Sequence, residues 1–329
     1  MRRRRLLGGS LAGLSALIAL PAFARKVTIG FLAGGSGTDP STRRNIVEPF
    51  LQGLRERGRV EGADLAIEFR WAEGWPDRIP GLVAELLRLD PDVLVTSGPR
   101  PAILVRDATR TVPVVAIFID DPVQIGLAET FARPGRNFTG VSSFGIELLA
   151  KRLELMKQLV PTARRIGILS NPVTTAGTRA DFEAAVRPFE QGLGIQVVIV
   201  DAAAPEEFDA AFGAFSRQGV DGVLILADAT FYAHRARLAE LCTRHRLPSV
   251  WGGRDYLEGG GLASYQSDIP HMFRRGAYLV DAVLRGAKPA ETPFERATKL
   301  ELAVNLKGAR ALGITVPQSV LLAADVVIE

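Results

Sequence analysis

Cysteine is almost missing from this chain: Cys242 stands alone among 329 residues. One thiol excludes an internal disulfide and a cysteine-rich zinc site. In the helical stretch 237–244 it reads as a small buried apolar residue. Histidine is scarce too, with only His234, His245 and His271. No two of them stand at i, i+4 spacing and no H-E-x-x-H occurs, so no metal site is expected. After the first 24 residues there is no G-x-S-x-G elbow and no G-x-x-x-x-G-K-S/T loop, so the α/β-hydrolase and P-loop signatures are lacking. Gly35-x-Gly37-x-x-Pro40 lacks the third glycine of a dinucleotide fingerprint. No cofactor is expected. The pair Asp120-Asp121 invites an acid/base reading, but a strand-ending turn before Pro122 explains it equally well.

A surplus of one charge is also lacking. Arg2, Arg3, Arg4 and Arg5 account for the formal +4, because the rest of the chain carries 36 basic and 36 acidic side chains. No Lys/Arg block follows residue 24, so nucleic-acid binding is not expected. Hydrophobic residues make up 47% and charged residues 23%, a globular composition that argues against disorder. The length suits about two lobes, each large enough to bury a core.

Residues 1–24, MRRRRLLGGSLAGLSALIALPAFA, combine a basic start, an apolar run over 6–20 and Ala22-Phe23-Ala24. That is the pattern of a secretory signal peptide. The apolar run is too short for a comfortable span. Arg3-Arg4-Arg5-Leu6-Leu7 fits the twin-arginine route and the general secretory route equally. No cysteine follows the apolar run, so lipid attachment there is not expected. A freely soluble exported protein then implies a periplasm. No later stretch has 18 consecutive apolar residues.

What the remainder does have is alternation. VTIGFLA (27–33) is an apolar, β-branched run of the kind buried on both faces of a parallel sheet. A helical stretch over 41–57 follows, with Ile46, Phe50 and Leu54 on one face. Strands are predicted at 65–71, 92–96, 112–119 and 140–142, with helices at 78–89 and 101–109 and a short one before 140. A helix over 146–160 opens a second series. It has strands at 165–169, 195–200, 222–227 and 249–251, and helices at 178–193, 205–218 and 233–245. A helix at 271–284, a strand at 300–304 and a short helix at 306–312 close the chain. Such βα alternation implies doubly wound parallel sheets in two similar lobes, and the closing piece suggests that the chain crosses back.

Several predicted strands end in small, polar or Gly/Pro residues: Gly34-Gly35-Ser36, Ser97-Gly98-Pro99, Asp120-Asp121-Pro122, Ser170-Asn171-Pro172 and Asp228-Ala229. In open α/β sheets ligands bind beyond the carboxyl ends of the strands, and helix N-termini there favour anions. Each loop alone is ordinary turn chemistry. Five of them across two lobes would face one cleft. Phe118, Trp251 and Tyr265 lie near strand ends and would either line that cleft or fill the core.

The stretches 68–74 (EFRWAEG), 92–98 (DVLVTSG), Asp121-Pro122, 138–140 (FTG), 150–155 (AKRLEL) and Asn171-Pro172 resemble the ABC-transporter substrate-binding proteins of the tryptophan/tyrosine type, the TrpX-like group. So do 245–248 (HRLP), 260–265 (GGLASY), 286–289 (GAKP), 305–307 (NLK) and the tail 324–329 (ADVVIE), in family order. The resemblance implies a type I periplasmic-binding architecture, two Rossmann-like lobes joined by three crossings. The expected division is 25–142 plus about 262–288 for lobe 1, and 143–261 plus about 289–329 for lobe 2. By motif, lobe 1 would offer Gly35, Ser36, Ser97, Gly98 and Pro99, with Asp121 and Pro122 nearby. Lobe 2 would offer Asn171, Pro172, Asp228 and Tyr265. Members of the group often have Asp-Pro where this chain has Asp228-Ala229, and lipoprotein members carry an N-terminal cysteine that is lacking here. The implied protein is a monomeric, non-enzymatic solute binder that takes an amino acid or related carboxylate and meets an ABC permease of the inner membrane. An exported α/β enzyme and a ligand-sensing partner of a membrane receptor remain the alternatives.

Overall fold

The computed structural model describes residues 26–143, 146–173 and 179–329. The expected signal peptide lies outside these residues. The first half runs β1 (Val27–Ala33), α1 (Pro40–Thr42), a π turn (Arg43–Val47), α2 (Glu48–Glu56), β2 (Leu65–Trp71), α3 (Ile79–Arg88), β3 (Val93–Ser97), α4 (Pro99–Ala108), β4 (Val114–Ile119) and β5 (Phe138–Ser142). The second runs α5 (Ile146–Leu159), β6 (Arg165–Ser170), α6 (Arg179–Leu193), β7 (Gln196–Asp201), α7 (Phe208–Arg217), β8 (Gly222–Ile225), α8 (Ala229–Ala233), α9 (Arg235–Arg244), β9 (Ser249–Trp251) and β10 (Ala263–Ser267). The chain ends with α10 (Ile269–Leu284), β11 (Glu295–Arg296), β12 (Leu300–Asn305), α11 (Leu306–Ala311), α12 (Gln318–Ala323) and β13 (Val326–Ile328).

Two sheets result. The first has the order β11-β5-β4-β3-β1-β2, and every neighbouring pair is parallel. The second has the order β13-β12-β10-β9-β8-β6-β7, parallel except where β12 runs against β10. Each sheet is apolar on both faces. In β1, Ile29, Phe31 and Ala33 pack with α2 and α10, while Leu32 packs with α3 and α4 on the other face. In β6, Ile166 and Ile168 join the cluster under α5, while Leu169 joins that of α7 and α9. This period-2 division explains why the strands read as continuous apolar runs. The long α10 crosses back and lies against α2. There Asp281, fully buried, is held by Arg57 (3.3 Å), Arg59 (3.0 Å) and Arg285 (2.8 Å). Burial pushes its carboxyl up, but the Arg285 and Arg59 guanidiniums outweigh that and hold it below the usual range.

Sheet membership moves two expected crossing points. β10 pairs with β9 and β12 in the second sheet, so the crossing near 262 lies instead between Ser267 and Ile269. β11 pairs with β5 in the first sheet, so the return expected near 289 falls after Arg296. The crossings are tied together: Ala297 N–H donates to Ser142 O at 2.7 Å, and Asp268 N–H to Lys299 O at 2.9 Å. Two helical expectations also change. No helix forms between β4 and β5, where turns fill the gap, and the stretch 233–245 is preceded by a separate short helix, α8, with His234 between α8 and α9.

Candidate functional site

The carboxyl ends of β1, β3 and β4 in the first lobe face those of β6, β8 and β9 in the second across a cavity of about 420 Å³. Strand ends meet there because parallel strands all finish at one edge of a doubly wound sheet. Gly35, Ser97, Gly98, Pro99 and Asp121 line it from the first lobe, and Asn171 and Asp228 from the second. The two carboxylates in that set also shape backbone. Asp121 accepts from the N–H groups of Val123 (2.8 Å) and Gln124 (3.0 Å). Asp228 caps α8 through the N–H groups of Thr230 (2.8 Å) and Phe231 (3.0 Å), and takes Asn171 Nδ2 at 3.3 Å.

Four expected residues do not line the cavity. Ser36 turns its hydroxyl to Thr38 at 3.0 Å. Pro122 is buried in the turn, where its carbonyl accepts from Leu127 (2.8 Å) and Ala128 (3.1 Å). Pro172 is exposed and does not line the cavity. Tyr265 packs against the core cluster beneath α5, and its neighbour Gln266 faces the cavity instead. Successive strand residues point to opposite faces, so a site assignment displaced by one residue lands in the core. Among the three candidate aromatics only Phe118 lines the cavity. Trp251 is fully buried, with its indole N–H donating to Ser249 Oγ at 2.7 Å.

Phe118 sits in a bulge of β4 between Ile117 and Ile119, with φ at +63°. That conformation is uncommon for a bulky residue, and strain of this kind collects at binding sites. Phe131, Phe182 and Phe273 add apolar wall. Polar groups that sequence reasoning missed complete it. Arg152 on α5 is 6% exposed; its Nε donates to the Tyr265 carbonyl at 2.8 Å. Burial pushes its pKa down to about 10, which leaves it charged near neutrality, and the nearby Asp120 carboxylate favours that charge. Asp120 accepts from the Ser143 hydroxyl. Arg100, at the start of α4, lines the cavity with its buried Nε unpaired among the described residues, as are Gln266 Oε1 and Ser267 Oγ.

Beside the cavity the lobes touch directly. Asp255 of the second lobe, 6% exposed, accepts from Arg44 Nη2 (2.8 Å) and from Asn45 Nδ2 of the first, and from Tyr232 OH at 3.0 Å. Tyr232 also hydrogen-bonds Ser41. Desolvation first, then the Asp255 charge, raise the Tyr232 phenol, so it stays protonated as a donor. Asp39 meets Arg235 at 2.7 Å; desolvation opposes the Asp39 charge, but bonds from Ser41 and Arg235 hold its pKa below the usual range. Thr230 Oγ1 donates to the Gly74 carbonyl at 3.0 Å. The π turn carries Arg44 and Asn45, and such turns recur at functional sites. The bonds between the lobes span 156 to 211 residues in sequence, so no local pattern announces them.

Comparison with known proteins agrees with this geometry. A tyrosine-binding protein of Clostridioides difficile is 20% identical over 264 residues, covering 80% of this chain and 75% of that protein. The crystal structure of a conserved domain protein of Vibrio cholerae superposes with a TM-score of 0.84 at 25% identity, covering 92% of this chain and all of that one. An ABC domain from Streptococcus pneumonia in complex with L-Trp gives 0.82 at 27% identity, with the same coverage. The model of one family, described as ABC transporter substrate binding protein, matches residues 39–328, and this chain belongs to that family.

Proposed function

We propose that this protein captures a small molecule, an amino acid or a related carboxylate, in the interlobe cavity by hinge closure. It would do so in a periplasm and hand the ligand to an ABC permease of the inner membrane. The observation that carries the reading is the cavity itself. Strand ends of both lobes wall it, and direct bonds between the lobes run beside it. We read those bonds as belonging to the closed form, with the three tied crossings as the hinge. The relatives support an amino acid as the first candidate: one is a tyrosine-binding protein and another was solved with L-Trp. The residues 1–24 pattern supports export, by the general or the twin-arginine route. Among the described residues no helix is long and apolar enough to cross a membrane.

Energetics are compatible with this role. A micromolar ligand gains about 8 kcal/mol. A charge-assisted hydrogen bond contributes about 1.5–3 kcal/mol, and full burial of a phenyl-sized group adds about 1.5–3. Binding needs no group to react, and a fast hand-over favours affinities of this order. The test is mass spectrometry of whatever the purified protein retains, followed by thermal-shift screening of amino acids and small carboxylates. A retained small molecule that raises Tm on re-addition, with a contraction in X-ray scattering, is the expected result. Turnover of the retained molecule would replace this reading with the enzyme alternative.

A further inference from the structure

The polar groups lining the cavity fall into two kinds. Asp121, Asp228 and Asp255 are engaged with backbone or with the other lobe, and Arg254 meets Glu301 at 3.0 Å. Arg100 is different. Among the described residues it has no carboxylate within ion-pair distance, and, unlike Arg152, whose Nε reaches the Tyr265 carbonyl, its buried Nε has no acceptor. Leaving a guanidinium N–H buried and unsatisfied is costly unless a guest supplies the acceptor.

The local sequence sharpens the point. Gly98 precedes the helix at φ +89° and, lacking a side chain, gives no cap. Pro99 and Pro101 carry no N–H, so the first turn of the ten-residue α4 keeps few donors. Gly98 N–H goes to Ile117 O at 2.9 Å and Ala102 N–H returns to Gly98 O. The Arg100 N–H has no acceptor among the described residues. One cavity-lining residue thus carries both an unpartnered backbone donor in the first turn of α4 and an unpartnered guanidinium N–H. The second lobe contributes two further polar atoms that lack partners, Gln266 Oε1 and Ser267 Oγ, on residues 7% and 0% exposed. A guanidinium on one lobe and an amide oxygen and a hydroxyl on the other, all lining one cavity, call for an acid at one end of the guest and a hydrogen-bond donor at the other.

We infer that Arg100 is the specificity-determining residue of the cavity, reading a carboxylate of the ligand, while Gln266 and Ser267 read a donor group on the same molecule from the opposite lobe. The inference rests on the proposed binding function and names the residues that would read the two ends of the ligand.

The experiment compares acids with their amides. Binding of L-tryptophan, L-tyrosine, L-leucine and 3-phenylpropionate, each with its carboxamide, is measured by calorimetry on the mature protein, alongside the molecule the protein retains. For wild type the acid binds roughly tenfold or more tightly than the amide. Arg100→Gln abolishes that ratio by weakening the acid and leaving the amide nearly unchanged. Arg100→Lys restores part of it, because an ammonium supplies charge without the planar fork. A ratio that persists in Arg100→Gln overturns the inference, as does a retained ligand without an acidic group. Failure of every acid in the set to bind at millimolar concentration overturns it too. In each of those cases the proposed binding function still stands if any small molecule is retained; if none is retained and none binds, both fall. Unchanged thermal melting of the unliganded Arg100 variants separates the effect from misfolding.

Discussion

Two buried aspartates, Asp281 and Asp255, show how the same chemistry serves two purposes. Asp281 gathers Arg57, Arg59 and Arg285, all within the first lobe, and fixes α10 to the chain following α2. Asp255 gathers Arg44 and Asn45 from one lobe and Tyr232 from the other. The first cluster stays satisfied however the lobes move. The second is satisfied only while they touch, and Arg44, about half exposed, can return to water when they part. A buried charge that must be partnered therefore locks a lobe in one case and senses lobe separation in the other.

Removing each carboxylate tests that contrast. Asp281→Ala strips the partner from three arginines and should lower stability by about 2–3 kcal/mol, less than a wholly buried pair because the arginines keep water. Urea unfolding with an unchanged m-value would show it. Asp255→Ala should change the unfolding free energy by less than about 1 kcal/mol but weaken ligand affinity by roughly tenfold and expand the scattering profile. Equal effects of the two variants on unfolding would dissolve the comparison. Gly34→Val is the steric counterpart. A Cβ there would lie 2.8 Å from Ala229 Cβ, so closure is obstructed while each lobe folds, and affinity should again fall by about tenfold.

Acid acts on both kinds of cluster in one direction. Asp281 and Asp39 have folded pKa values below the ordinary aspartate value of 3.8. Their contributions are complete above that value and are lost as pH falls through the lowered pKa. Melting temperature measured from about pH 5 down to about pH 3 should therefore fall, with a shallower slope in Asp281→Asn. The Asp39–Arg235 contact should be lost as pH falls through the lowered Asp39 pKa, opening the unliganded protein. The smallest effects belong to Ser36→Ala and Tyr265→Phe, neither of which lines the cavity. Each should change affinity by less than about twofold.

Much of the fold was legible because its strands are buried on both faces. Runs such as VTIGFLA need no partner knowledge to be read, and β1, β2 and β9 fall where the sequence put them. β10, with the sequence ASYQS, escaped because its residues do not form an apolar run, and the lobe boundary slipped with it. At the site, turn residues such as Gly35, Gly98 and Asp228 were legible from local chemistry. Arg152, Tyr232 and Asp255 were not, since their roles arise only when segments remote in sequence meet. Tyr265 and Gln266 differ by one position in a strand, and only the register of β10 with β12 decides which faces the guest.

Where Gly34 approaches Ala229 and Gly74 approaches Ala233, a glycine backbone lies so near an alanine methyl that no side chain fits between them. Such a mechanical stop is stiff, because backbone and methyl groups have no rotamers to yield. Occupied molecules would then end their travel at one common shape, whatever cargo they carry. A partner that met the occupied form would need to recognise only that single outline, so cargo choice could drift in the interior without retuning the outer surface.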